Sequence, residues 1–141
     1  MQLRGLATVS FWAADLTAAK TWYADLFGAE PYYEVRDAEG RPAYCEFRLG
    51  DHQHELGLID SRYAPAGAPA DPGGAIVYWH VDDVDATYAA LLAAGARVHQ
   101  PPTPRGAGDF VTASVVDPFG NILGVMRNPH YLEMLESMRR G

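Results

Sequence analysis

The chain has 141 residues, 48% hydrophobic and 21% charged, with a formal net charge of −7. That composition fits one folded domain and excludes a disordered chain; the acidic balance argues against nucleic acid as a partner, because nothing offsets phosphate repulsion. A single cysteine, Cys45, leaves no intrachain disulfide and no Cys-X-X-Cys or cysteine-rich zinc chemistry, which suits a reducing cytoplasm, and no run is long enough to span a bilayer.

The first element is an apolar run over residues 6–14. It reads as a strand rather than a signal peptide, because Ser10 and Trp12 interrupt it and Asp15 opens a helix cap immediately after. A helix over 17–27 follows, with Trp22, Tyr23, Leu26 and Phe27 as its apolar stripe and Gly28 as its stop. Strand-like segments cover 32–35, 44–49 and 55–59, with Gly40 and Gly50-Asp51 at the turns. A Pro/Gly/Ala-rich linker runs over 64–74. Then the pattern starts again, with an apolar strand from Ile76, a cap at Asp82 or Asp83, and a helix over 85–94 that stops at Gly95. Strands at 97–100, 111–116 and 122–126 follow, the last two joined by the turn Asp117-Pro-Phe-Gly-Asn121. A terminal helix over 129–138, with Tyr131, Leu132, Leu135 and Met138, packs on the body or on a partner subunit.

The two halves match in detail. Thr8-Val-Ser-Phe-Trp-Ala-Ala-Asp15 parallels Ile76-Val-Tyr-Trp-His-Val-Asp-Asp83, and Glu55-Leu-Gly57-Leu-Ile parallels Ile122-Leu-Gly124-Val-Met. The offset is about 67–68 residues, longer than solenoid periods, so two modules pair rather than stack in an open array. The expected fold is α+β: two tandem βαβββ modules (about 6–63 and 75–128) forming curved mixed sheets around a cavity, with a C-terminal helix, all within one domain over 1–141.

These segments resemble the glyoxalase/bleomycin-resistance/extradiol-dioxygenase superfamily, the vicinal oxygen chelate fold, over residues 6–129. The resemblance rests on Asp15 to Gly28 with Trp22-Tyr23 and Leu26-Phe27, the matching Asp83 to Gly95, and Asp117-Pro-Phe-Gly-Asn. It implies paired modules enclosing a cavity, in metal-dependent lyases, isomerases and dioxygenases or in metal-free proteins that bind and sequester antibiotics. Fold alone does not choose among these. Metal-dependent members place His or Gln early in each module's first strand and Glu or His in its last. Those positions fall on Thr8 and Ile76, seven before each capping Asp, and on Gly57 and Gly124. None is a good ligand for a divalent ion, which needs inward lone pairs.

Side chains two apart share a strand face. A ligand-binding lining is therefore expected from Thr8, Ser10, Trp12, Glu55, Gly57, Tyr78, His80 and Gly124, the glycines opening space where family enzymes hold carboxylates. The alternative for Trp12 and Tyr78 is plain core packing, and for His80 a hydrogen-bonded structural role. Glu55 and His80 are the catalytic candidates, as an acid/base pair or as a displaced metal site, which His52 or His54 would complete poorly because a regular strand turns both away from Glu55. His54, His99 and His130 receive no role, Cys45 reads as buried and inert, and the Gly106-Ala-Gly108 loop lacks a phosphate-binding context. Two function classes stay open: a cytoplasmic, metal-free, homodimeric binder of an aromatic or natural-product ligand, or a superfamily enzyme using Glu55 and His80, with or without a divalent metal.

Overall fold

A computed structural model describes residues 1–141. The elements follow in the order β1 (Thr8–Ala13), α1 (Leu16–Phe27), β2 (Tyr33–Arg36), β3 (Pro42–Leu49), β4 (His54–Asp60), a 3-10 turn (Ser61–Tyr63), β5 (Tyr78–His80), α2 (Val84–Ala93), β6 (Arg97–Pro104), β7 (Val111–Val116), β8 (Ile122–Arg127) and α3 (Pro129–Arg140). This is βαβββ written twice, then a helix. Each module forms a four-stranded sheet, in the orders β1-β4-β3-β2 and β5-β8-β7-β6. In both, the first strand runs parallel to the last and the remaining pairs are antiparallel. The fold is the α+β, two-module architecture that the repeat predicts. No helix is long and apolar enough to cross a membrane.

Two compact units divide the chain: residues 1–71 with 119–121, and residues 72–118 with 122–141. In the first, the Asp15 carboxylate accepts the Ala18 N–H and starts α1. Gly28 ends it in the left-handed conformation at φ 63°, its N–H returning to the Ala24 carbonyl. Helix α1 packs on β3 and β4. Phe11, Tyr23, Phe27 and Phe47 chain together there with centroids 6.2, 5.5 and 5.3 Å apart, beside buried Leu56 and Leu58. In the second unit Asp83 rather than Asp82 caps α2, accepting the Ala86 N–H. Val84, Leu91, Ala113, Val115, Leu123 and Val125 form its core.

Two strands differ from expectation. Strand β5 is three residues long and begins at Tyr78, leaving Ile76 and Val77 before it. Strand β6 runs on to Pro104, past the expected end at 100, through register shifts between Val98 and Gln100 and between Gln100 and Thr103. Pro101 and Pro102 lack the N–H a central strand would need, but β6 is an edge strand, where such residues are tolerated.

Candidate functional site

Strand register decides which side chains share a face. In the first sheet Thr8 pairs with Glu55, Ser10 with Gly57 and Trp12 with Ile59. On the other side of β4, Tyr44 pairs with Ile59, Glu46 with Gly57 and Arg48 with Glu55, and Tyr33 pairs with Glu46. Phe11, Phe47, Leu56 and Leu58 fill the face covered by α1. Residues that alternate with them therefore stand on the opposite face: Thr8, Ser10, Trp12, Glu55 and Gly57, joined by Tyr33, Tyr44, Glu46 and Arg48.

Hydrogen bonds knit this face together. The Thr8 hydroxyl donates to Glu55 Oε2 at 3.0 Å, and the Tyr32 hydroxyl donates to Oε1 at 3.2 Å. Arg48 lies 3.8 Å from the same Oε1 and 4.0 Å above the Tyr32 ring. Tyr44 donates its phenol proton to Glu46. Glu46 is buried, and burial pushes its carboxyl up from the ordinary value; the nearby Glu55 charge adds to this while Arg48 opposes it. Burial likewise raises the Tyr44 phenol, with Glu55 contributing.

The glycines do not open space. A Cβ at Gly57 would stand 2.5 Å from the Tyr44 hydroxyl, and one at Gly124 would stand 2.8 Å from the Ile76 and Tyr78 side chains and from the Val77 carbonyl. The expectation of a void at both positions is corrected: each glycine is where a neighbouring ring lies down on the strand.

In the second sheet Tyr78 and Ser114 pair with Gly124, while His80 and Thr112 pair with Met126. Tyr78, His80 and Gly124 thus share one face, with Ala113, Val115, Leu123 and Val125 on the other. His80 Nδ1 accepts the Asn128 N–H at 3.1 Å. Its ring stacks on Tyr131 with centroids 4.7 Å apart and planes 11° from parallel. Glu55 and His80 belong to different units, and each is engaged within its own: Glu55 by Thr8, Tyr32 and Arg48, His80 by Asn128 and Tyr131. His99 contacts Ser114 Oγ at 2.7 Å, and His130 contacts Glu133 on α3 at 3.2 Å.

The donor set does not fit a divalent ion. Thr8 offers an alcohol already bonded to Glu55, Ile76 an alkyl group, and Gly57 and Gly124 only backbone; nor do three His, Cys, Asp or Glu side chains gather anywhere in a metal-holding group. His54 pairs with Leu49 next to Glu55 in β4, which turns it to the opposite face. Cys45 is buried, and burial lifts its thiol to about 11, with Glu34 adding and Lys20 opposing. A cleft of about 60 Å³ beside it, lined by Leu16, Lys20, Glu34 and Tyr44 among others, has room for a handful of waters rather than an organic ligand.

Sequence reasoning missed Tyr32, Tyr44, Glu46 and Arg48. The signal was present in Tyr44-Cys-Glu-Phe-Arg48, whose strict alternation puts the polar and phenolic side chains on the face opposite Cys45 and Phe47.

The family model described as Glyoxalase/Bleomycin resistance protein/Dioxygenase superfamily matches residues 5–125. No curated protein matches the sequence. Among solved structures, the chain is similar to a glyoxalase-related enzyme from Fulvimarina pelagi, at 22% identity and TM-score 0.69 with 90% of each chain covered. It is also similar to a glyoxalase/bleomycin resistance protein/dioxygenase family enzyme from Burkholderia phytofirmans PsJN, at 17% identity and TM-score 0.60, covering 86% of this chain and 96% of that one. A glyoxalase/bleomycin resistance protein from Catenulispora acidiphila DSM 44928 aligns at 21% identity and TM-score 0.59, covering 89% and 100%. At these identities the likeness speaks for the fold alone.

Proposed function

The chain belongs to the glyoxalase/bleomycin resistance protein/dioxygenase superfamily, and we propose that within it this protein is a metal-free binder that sequesters a small planar ligand, neutral or cationic, on the open face of the first sheet. One observation carries the reading: Tyr32 and Tyr44 each donate a hydrogen bond to one of two neighbouring carboxylates, Glu55 and Glu46, on a single sheet face. Phenol rings supply stacking surface, and two carboxylates attract positive charge. The net charge of −7 favours the same ligands during encounter.

Calorimetric titration with three planar probes of matched size tests this: N-methylquinolinium, 2-naphthamide and naphthalene-2-carboxylate. The expected order is cation first and anion last. Glu46→Gln with Glu55→Gln should erase the cation's advantage. Tightest binding by the carboxylate, or a cation preference that survives both substitutions, overturns the proposal.

Glu46 favours a second reading, an enzyme of the same superfamily. A buried carboxyl of raised pKa, bonded to a phenol, is suited to exchanging a proton with a bound substrate. Chemical change of a bound probe that is lost in Glu46→Gln but kept in Glu34→Gln, a carboxylate on the α1 side of the sheet, would decide for it.

A further inference from the structure

His80 holds a proton with no acceptor. Its Nδ1 accepts the backbone N–H of Asn128 at 3.1 Å, and an imidazole nitrogen that accepts carries no hydrogen, so the neutral ring keeps its proton on Nε2. That Nε2 is buried and meets no hydrogen-bond partner. The nearest carboxylate oxygen, on Asp82, is 3.8 Å away, beyond hydrogen-bond reach, on a side chain that is 95% exposed. Buried polar groups are otherwise paired almost without exception, so an orphan of this kind calls for a partner, whether a water or an acceptor atom of a ligand.

One face of the ring is covered from α3. Tyr131 lies nearly parallel to His80, at 4.7 Å and 11°, the arrangement a planar aromatic ligand would take. Tyr131 belongs to α3, a helix with no buried residue. Its first turn is fastened by Asn128, whose side chain accepts the His130 N–H at 3.0 Å while its own N–H binds His80. With Pro129, Tyr131, Leu132 and Leu135 half-buried and its other residues exposed, α3 opens at smaller cost than the core. Beneath it, the sheet face continues through Met126 and through Tyr78, which lies on Gly124.

We propose that α3 is a displaceable strap over an aromatic-ligand subsite in the second unit, where Tyr131 holds the place of a planar ring stacked on the imidazole face and His80 Nε2–H, directed along the imidazole edge, is the donor kept for an acceptor that the ligand carries on a bent arm beyond that ring. This deepens the small-molecule-binding reading and rests on it, but uses none of the first-sheet residues.

Titrations of 2-naphthylacetamide, whose amide hangs from a methylene, and 2-methylnaphthalene, which lacks an acceptor, into the full-length chain test the strap. Tyr131→Ala should bind 2-naphthylacetamide about tenfold more tightly than the unaltered protein, because the internal competitor is gone. Adding His80→Phe should abolish the preference for 2-naphthylacetamide over 2-methylnaphthalene. Equal affinity with and without Tyr131 overturns the proposal and leaves the proton to a trapped water. A second measurement needs no variant: nitrogen-15 NMR of the unaltered protein should show the His80 ring protonated at Nε2 and responsive to 2-naphthylacetamide. A ring protonated at Nδ1 overturns it. N-methylquinolinium affinity, read in parallel, reports the first-sheet face. A protein that binds that cation but ignores Tyr131→Ala has lost the strap alone; one that responds to Tyr131→Ala without preferring the cation has lost the first-sheet assignment alone.

Discussion

The phenol of Tyr44 occupies the volume that a side chain at position 57 would need: a Cβ on Gly57 would stand 2.5 Å from the Tyr44 hydroxyl and 2.7 Å from its ring edge. Gly57→Ala should therefore swing the ring away and break its bond to Glu46, costing roughly 1–3 kcal/mol as an overpacking change. Urea denaturation measures the loss. Tyr44→Ala combined with Gly57→Ala should cost less than the two single changes summed, since the clash needs both partners. Strict additivity would mean that the ring and the glycine are not in contact.

Gly124→Ala should be the more damaging of the two glycine substitutions. A Tyr ring can rotate away from a new methyl, but at Gly124 the Cβ would also stand 2.8 Å from the Val77 backbone carbonyl, and Gly124 N–H is bonded to that same oxygen at 3.2 Å. Relief would require moving β5 off β8. A midpoint for Gly124→Ala at or above that of Gly57→Ala would contradict this ordering.

Those two glycines mark where sequence reading stopped. The absence of a side chain is visible in a sequence, but the neighbour that fills the space is not, because Tyr44 reaches Gly57 diagonally from the adjacent strand. The repeat, by contrast, was legible because each signal is local. Asp15 and Asp83 sit where helix amides need acceptors, and Gly28 and Gly95 sit where the chain turns left-handed, at φ 63° and 107°. The strand faces followed from the period of two, which placed Thr8, Ser10 and Trp12 together and extends to Glu46 and Arg48 once β3 is read the same way. The role of Asn121 was hidden for the opposite reason, since its partner lies 109 positions away.

Glu46 makes stability depend on pH with a definite sign. Its carboxyl titrates above the ordinary value of 4.5 in the folded protein because burial penalises the charge. Between the unfolded and folded values the native state holds more protons, so stability falls as pH rises through that window and the penalty is fully present above it. Glu46→Gln removes the titration and can still accept from Tyr44. Its stability profile should lose the fall on leaving the weakly acidic range, measured by denaturation at a series of pH values. An unchanged slope would mean that the carboxylate is adequately solvated.

Cys45 should be chemically silent in the native state. It is buried, and its thiol is raised to about 11, first by burial and then by Glu34. Only the thiolate attacks electrophiles, so alkylation by iodoacetamide at pH 8 should run at least roughly a hundredfold slower than for a free thiol. Unfolding in urea should restore the ordinary rate. Rapid native labelling would show that β3 opens away from α1.

Asn121 guards the edge of the first sheet. Strand β1 is an outer strand, and both backbone groups of Trp12 are met by one amide: Oδ1 accepts the Trp12 N–H at 3.0 Å and Nδ2 donates to the Trp12 carbonyl at 2.8 Å. The two bonds fix which way the amide points, because only that orientation gives the N–H an acceptor and the carbonyl a donor. Asn121→Ala should cost roughly 1–3 kcal/mol, the penalty of leaving partly buried backbone groups unpaired. Asn121→Asp keeps the acceptor but sets a second carboxylate oxygen against the Trp12 carbonyl, so at neutral pH it should be no better than alanine. Protonation would return a donor to that position. The aspartate's folded pKa must then exceed its unfolded one, and the variant should regain stability as pH falls through the folded value. Thermal melts at neutral and weakly acidic pH distinguish the cases: recovery specific to Asn121→Asp supports the paired amide, and parallel losses in both variants at every pH would sink it.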